Sequence, residues 1–205
     1  MDSFAMGSYR FSVWLTRLAY LNLLWIAFTI IGLGIFGFMP ATTAMFAIAR
    51  KWLHGEVDIP ITKTFWQQYK ASFFQTNILG LILGGVGYLL VVEFRILQVQ
   101  ESMMYTIVGF GVLFILCMYG ILLTYFFPIY VHFNLSLTEY LKWPLIIGII
   151  HPLLSIFLLG LLGVGIYVLL MTVPAILFFF GGSTAAYIIM WGVSKTFEKY
   201  ELREG

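Results

Sequence analysis

The run from Trp143 to Ser194 constrains the fold most, because its 52 residues include no Asp, Glu, Lys or Arg. As one straight helix it would measure about 78 Å at about 1.5 Å per residue. The hydrocarbon layer of a bilayer is only about 30 Å thick, so the run must cross a membrane twice. Pro174 marks the break, since proline removes a backbone donor and disfavours helical geometry in the preceding residue. The sequence therefore predicts an all-α, polytopic bundle of transmembrane helices.

Composition agrees with a chain embedded in lipid. Of the 205 residues, 61% are hydrophobic and 10% are charged, whereas a soluble domain averages about 25% charged residues. A formal net charge of +2 without a block of Lys and Arg argues against nucleic acid as a partner. The single cysteine, Cys117, cannot form an internal disulfide, and the three histidines lack the spacing of metal ligands. We expect the lipid bilayer as the main partner, with no metal and no cofactor.

The run from Leu18 to Ala49 has 32 uncharged residues, a length between those needed for one crossing and two. Glycines and Pro40 cluster near its middle, which predicts a hairpin turning at Gly32-Pro40. With that hairpin, ten of the 11 basic residues lie on one side of the membrane and Arg95 alone on the other. A single crossing would divide them eight to three. Because Lys and Arg are enriched in cytoplasmic segments, the bias favours the hairpin and places both termini in the cytoplasm.

The chain reads as one integral membrane domain, residues 1–205, with five to six membrane segments. No removable signal peptide is expected at the N-terminus. The polar parts comprise an interfacial N-terminal segment 1–17, a cytoplasmic connection 50–70, a charged turn 93–101, a second cytoplasmic connection 131–142 and a cytoplasmic tail 195–205.

Polar residues inside the uncharged runs are the candidate intramembrane site, because each needs a partner or a function in lipid. His151 precedes Pro152, so it could carry a proton or contact a substrate, but hydrogen bonding to a carbonyl freed by the proline is commoner. Each of the other candidates could likewise contact a ligand or hydrogen-bond to another part of the chain. A cavity between the His151-Pro152 kink and the Gly181–Thr184 patch would favour binding. The candidates are Asn22, Thr42, Thr43, His151, Ser183 and Thr184.

Gly80 and Gly84 lie four residues apart in the predicted span 73–92, the spacing that lets two helices approach closely. They are the candidate helix-packing residues. The sequence contains no phosphate loop and no paired intramembrane carboxylates. Every acidic residue falls in a predicted loop or tail, so we expect a protein that is not an enzyme.

Five stretches in order along the chain together resemble the YesL-like family of bacterial integral membrane proteins of unknown function. The resemblance implies a multi-pass protein of the bacterial cytoplasmic membrane. Such proteins are found with carbohydrate-uptake ABC transporters and polysaccharide-degrading enzymes, which implies an accessory component of an oligosaccharide importer. The stretches are Asn22-Leu-Leu-Trp25, Gly37-Phe-Met-Pro40-Ala41-Thr42-Thr43-Ala44, Phe65-Trp-Gln-Gln-Tyr69-Lys70, Phe127-Pro128-Ile-Tyr-Val-His132 and Gly182-Ser183-Thr184-Ala185-Ala186-Tyr187.

Three functions are compatible with these features. The first is an accessory protein that binds permease or ATPase subunits of an ABC-type importer. The second is a small-molecule-binding subunit resembling the substrate-capture components of energy-coupling-factor importers, with a pocket around Asn22, Thr42, His151 and Ser183. The third is a structural homo-oligomer packed through Gly80 and Gly84.

Overall fold

The computed structural model describes residues 2–99 and 102–201, and within these ranges the chain is helical and contains no strand. A π-helical turn, Leu177–Gly181, separates the last two α-helices. The helices are α1 (Asp2–Ile31), α2 (Ile35–Leu53), α3 (Ile61–Gln98), α4 (Met103–His132), α5 (Glu139–Ile150), α6 (Pro152–Thr172), α7 (Pro174–Ile176) and α8 (Gly182–Glu201).

Within the described ranges, five segments are long and apolar enough to cross a bilayer, and they confirm the predicted polytopic all-α bundle. The break predicted at Pro174 is also present, because α6 ends at Thr172 and α7 begins at Pro174. The predicted interfacial segment 1–17 is continuous with the first span in the described residues, since α1 runs unbroken from Asp2. The five segments are Phe11–Ile31, Ile61–Gln98, Met103–His132, Pro152–Thr172 and Pro174–Phe197.

The first uncharged run forms a hairpin, as its clustered glycines predict. Its turn is shorter than expected: α1 ends at Ile31 and α2 begins at Ile35. Leu33 and Gly34 both adopt positive φ, 60° and 75°, which reverses the chain within three residues. Pro40 is not in the turn but is the sixth residue of α2.

Helix α2 is the centre of the bundle. Twelve of its 19 residues are buried, and it packs against α1, α3, α4 and α8. The Phe46 ring stacks on that of Phe127 from α4 at 5.3 Å between centroids. Gly37 allows the α1 backbone to approach closely, because a Cβ at this position would lie 2.7 Å from the Phe28 carbonyl oxygen. Helices this close are held by van der Waals packing, the main attraction between helices in lipid.

The α1–α2 hairpin is shorter than the α3–α4 hairpin beside it. Gly34 and Ile35 line the same cleft as Leu83 and Gly84 of α3, and the Phe36 carbonyl bonds to Asn77, so the α1–α2 turn lies beside the middle of α3. Helix α3 continues from Gly84 to Gln98, a further 14 residues or about 21 Å. The α3–α4 hairpin therefore extends well beyond the tip of the α1–α2 hairpin.

The opposite end of the bundle holds the N-terminal part of α1 and the C-terminal part of α8. The rings of Trp14 in α1 and Trp52 at the end of α2 meet at 5.4 Å. His132 is the last residue of α4, and the centroid of its ring lies 4.5 Å from that of the Phe197 ring in α8. We call this the polar end, because the connections 54–60 and 133–138 also lie here.

Candidate functional site

Asn22 and Ser183, two of the predicted site residues, meet inside the bundle. The Asn22 amide nitrogen donates to the Phe178 carbonyl at 2.6 Å, and its amide oxygen accepts from the Ser183 backbone N–H at 3.0 Å. Both residues are buried. A π-helical turn widens the hydrogen-bond spacing and leaves backbone groups without regular partners. The Asn22 side chain therefore bridges α1 to the irregular start of the last span.

Thr42 and Thr43 follow Pro40 on the buried α2 helix. The Thr42 hydroxyl donates to the Phe38 carbonyl at 2.7 Å and accepts from the indole N–H of Trp25 at 3.0 Å. The Thr43 hydroxyl donates to the Met39 carbonyl at 3.0 Å. Both hydroxyl protons are thus used within α2, and the Trp25 contact ties α1 to it.

Pro40 leaves the carbonyl of Phe36, four residues earlier, without its helical donor. Asn77 of α3 supplies a replacement, because its amide nitrogen lies 2.9 Å from the Phe36 carbonyl oxygen. The same nitrogen also donates to the Phe73 carbonyl on its own helix at 2.8 Å. This cross-helix contact was not predicted from the sequence. The one available signal was the position of Asn77 inside an apolar run.

The kink at His151-Pro152 separates α5 from α6. Pro152 removes the donor to the Gly148 carbonyl, and the Ser155 hydroxyl occupies that place at 2.8 Å. Ser155 also lies 3.0 Å from the Tyr125 hydroxyl of α4. The half-buried His151 ring nitrogen Nδ1 lies 3.1 Å from the Ile147 carbonyl oxygen. These contacts satisfy the backbone groups at the kink.

The six predicted site residues do not form one pocket. Trp25, Thr42 and Gly182 line a cavity of about 270 Å³ between α1, α2, α4 and α8, and half-buried Thr184 follows Ser183 in the same part of α8. His151 lies elsewhere: Leu154 and Leu158, just after it, pack on Gly192. Gly192 is nine residues beyond Ser183, about 14 Å along α8. The His151-Pro152 kink and the Gly181–Thr184 patch therefore do not face each other.

The two predicted packing glycines have different surroundings. A Cβ on Gly80 would overlap the Met39 side chain of α2, whose Sδ would lie 3.1 Å away. Gly80 thus permits close packing within the chain and is not free to meet a second copy. A Cβ on Gly84 would have nothing within 4 Å, because this glycine borders open space.

That open space is a cleft of about 650 Å³ between α2, α3 and α4, at the tip of the α1–α2 hairpin. Its lining is almost entirely hydrocarbon, and two of its polar side chains are already bonded. Asn77 donates to backbone carbonyls, and the Tyr119 hydroxyl donates to the Leu83 carbonyl at 2.7 Å. The buried Thr29 hydroxyl has no hydrogen-bond partner among the described residues. Sequence reasoning missed this cleft.

Among the described side chains, the polar end carries two ion pairs, Arg17 with Asp58 and Lys51 with Glu56, each at 2.8 Å. Hydrogen bonding and charge attraction from Lys51 lower the pKa of the Glu56 carboxyl. Arg50 donates to the Val131 carbonyl at the end of α4 at 3.0 Å. Cations near helix C-termini are favourable because they offset the negative end of the helix dipole.

The connection between α4 and α5 has its own cap. The Glu139 carboxylate accepts from the Ser136 hydroxyl at 2.6 Å and from the Ser136 backbone N–H at 2.9 Å. These bonds lower the pKa of the Glu139 carboxyl. Within the described part of the chain, no three His, Cys, Asp or Glu side chains gather where they could bind a metal ion.

The helices, their uncharged runs and the bonded interior define a small polytopic helical membrane protein. Residues 18–94 match the family model described as a protein of unknown function, DUF624. The chain is 33% identical over 204 residues to the uncharacterized protein YesL of Bacillus subtilis (strain 168), covering 100% of this chain and 96% of YesL. It therefore belongs to the YesL-like family of unknown function, as the sequence resemblance indicated.

Two further relatives come from the same bacterium. The uncharacterized protein YteU is 36% identical over 196 residues, covering 96% of this chain and 87% of YteU. The uncharacterized protein YesV is 34% identical over 185 residues, covering 90% of this chain and 88% of YesV. No solved structure matches the chain.

Proposed function

We propose that the protein is a non-enzymatic membrane subunit that associates with an ABC-type uptake system for oligosaccharides. The proposal is supported by the hydrogen bonds of the interior polar side chains, which are made within the chain itself. Asn22, Thr42, Thr43, Asn77 and Ser155 all bond to the chain's own backbone. Such an interior favours a fixed scaffold with its contacts at the surface. The choice of an oligosaccharide importer rests on the family resemblance.

The polar end is the surface proposed to bind permease or ATPase subunits. Its exposed charges include Glu56 and Asp58 together with Lys63 on the first turn of α3. The far end of α3 carries only Glu93 and Arg95 among its described charged side chains. Because basic residues favour the cytoplasmic side, we place the polar end and both termini in the cytoplasm of a bacterial cell.

Co-purification tests this association. A tagged chain extracted in mild detergent should retain permease or ATPase subunits of an oligosaccharide importer. Reversing the exposed charge in Lys63→Glu should weaken that recovery, because charge complementarity speeds and orients docking. Arg95→Glu is the matched control, since this exposed cation lies on the same helix at the opposite end. Recovery of the chain alone, or equal loss in both variants, would contradict the proposal.

The substrate-capture alternative draws on one observation, the cleft of about 650 Å³, because ligand pockets typically measure about 300–1,000 Å³. However, the bonded polar groups of that cleft do not match a polar nutrient. The homo-oligomer alternative would need a face other than Gly80, which Met39 covers. Native mass spectrometry of the purified chain distinguishes both alternatives by bound mass and by copy number.

A further inference from the structure

We propose that the cleft between α2, α3 and α4 holds one acyl chain of a bilayer phospholipid. The cleft lies at the depth of the hydrocarbon layer. Helix α3 has no charged residue from Ala71 to Val92, a stretch of 22 residues or about 33 Å. That length matches one crossing of the hydrocarbon layer. Asn77, Gly80 and Gly84 line the cleft from the middle of this stretch, so the cleft opens at hydrocarbon depth.

The cleft is open at the side of the bundle. The tip of the α1–α2 hairpin lines it together with Gly84, while α3 and α4 continue past this point. The rest of the chain leaves this tip uncovered, with Leu33 at 83% and Ile35 at 76% of full exposure. Leu81 of α3, on the cleft wall, is exposed at 61%. The cleft is therefore open to the surrounding bilayer and not sealed inside the bundle.

The lining of the cleft suits hydrocarbon better than water. Water needs two to four polar partners to occupy a cavity, and the Asn77 and Tyr119 groups of this cleft already bond to backbone carbonyls. An empty cleft would lose the van der Waals contacts of its lining. A hydrocarbon chain restores those contacts. The buried Thr29 hydroxyl, which has no partner among the described residues, is a single polar group where a water needs two to four. Bilayer phospholipid is the most abundant source of such chains, so the occupant is one of its acyl chains.

The test compares two neighbouring glycines in α3. Gly84 borders the cleft, whereas Gly85 is not part of its lining, and a Cβ on either has nothing within 4 Å. Gly84→Phe should fill the cleft, and Gly85→Phe should add the same side chain outside it. Native mass spectrometry of protein released from lipid nanodiscs measures the phospholipid retained per chain. We expect about a tenfold loss for Gly84→Phe, equivalent to about 1.4 kcal/mol, and no loss for Gly85→Phe.

Equal phospholipid retention by the wild type and both variants would overturn the proposal. A wild-type chain that carries no phospholipid, or that carries only detergent, would also overturn it. A second copy of the chain in place of lipid would also overturn it. Should Gly84→Phe not fold, a photoreactive leucine analogue at Leu123 on the α4 wall of the cleft provides the readout. It should crosslink to phospholipid, and crosslinking to protein alone would count against the proposal. Neither result depends on whether importer subunits bind at the polar end.

Discussion

Asn77 of α3 donates a hydrogen bond to the carbonyl of Phe36, the acceptor that Pro40 leaves without a partner in α2. We expect Asn77→Ala to destabilise the protein by about 0.6–1.7 kcal/mol, between the average and the largest value measured for side-chain hydrogen bonds between membrane helices. Thermal unfolding in detergent measures the change. Pro40→Ala restores the backbone donor, so in that background Asn77→Ala should cost less. An unchanged cost in the double variant would show that the two residues are not coupled.

Asn22 makes two contacts with the irregular start of the last span, so its loss should cost more than the loss of one local bond. We expect Asn22→Leu to lower the free energy of unfolding by about 1–3 kcal/mol, because the Phe178 carbonyl and Ser183 N–H would both lose their partner. Thr43→Val is the control, since it removes only one bond within α2. Equal effects in a denaturant titration would contradict the bridging contact.

Gly37 is the point where α1 and α2 come closest. Gly37→Ala should destabilise the hairpin by about 1–3 kcal/mol, because the new methyl group would press on the carbonyls of Phe28 and Thr29. Gly109→Ala in α4 is the matched control, since its Cβ would enter open space and alanine favours the helix. The melting temperatures should therefore move in opposite directions, and a shared direction would refute the close approach.

The hairpin turn should be hidden from water on both sides of the membrane. In a Cys117→Ser background, a membrane-impermeant maleimide should label Glu56→Cys from one side and Gln98→Cys from the other. Leu33→Cys should stay unlabelled from either side, because the turn lies level with the middle of the uncharged run of α3. Labelling of Leu33→Cys together with Gln98→Cys would instead indicate a full crossing by α1.

The cap at Ser136 should give a pH-dependent contribution to stability. The pKa of Glu139 is lowered in the folded chain, so the contribution is complete above its unfolded pKa and is lost as pH falls through its folded pKa. The melting temperature should therefore decrease at acidic pH by more in the wild type than in Glu139→Gln. Identical pH profiles for the two proteins would show that this carboxylate does not stabilise the connection.

The sequence predicted the parts of the fold that depend on the length of uncharged runs. The break before Pro174 and the reversal near Gly32 are local properties of the chain, so both were predicted. The position of Pro40 inside α2 was not predicted. The Phe36 carbonyl that Pro40 leaves unpaired receives its hydrogen bond from Asn77, which is 37 residues beyond Pro40 in sequence. Proline early in a helix is tolerated when another group satisfies the freed carbonyl, and the sequence does not show which group will do so.

The candidate site was predicted residue by residue but not as an arrangement. Asn22 and Ser183 were both selected as polar groups in lipid, yet only the crossing of α1 with α8 shows that they share a hydrogen bond. The same limit hid the cleft, which exists because one hairpin is shorter than its neighbour. How far one hairpin extends beyond the other depends on the way the two pack side by side, which no single stretch of residues encodes.

The short α1–α2 hairpin also affects how the chain enters the membrane. Its tip, Gly32–Gly34, has no charge, and the start of α1 and the end of α2 both lie at the polar end of the bundle. No charged loop has to be carried through the hydrocarbon layer for this pair of helices to insert, so the cost of moving a charge through lipid is avoided. If the polar end faces the cytoplasm as we propose, the first two helices can be in place before the charged far end of α3 passes through the bilayer.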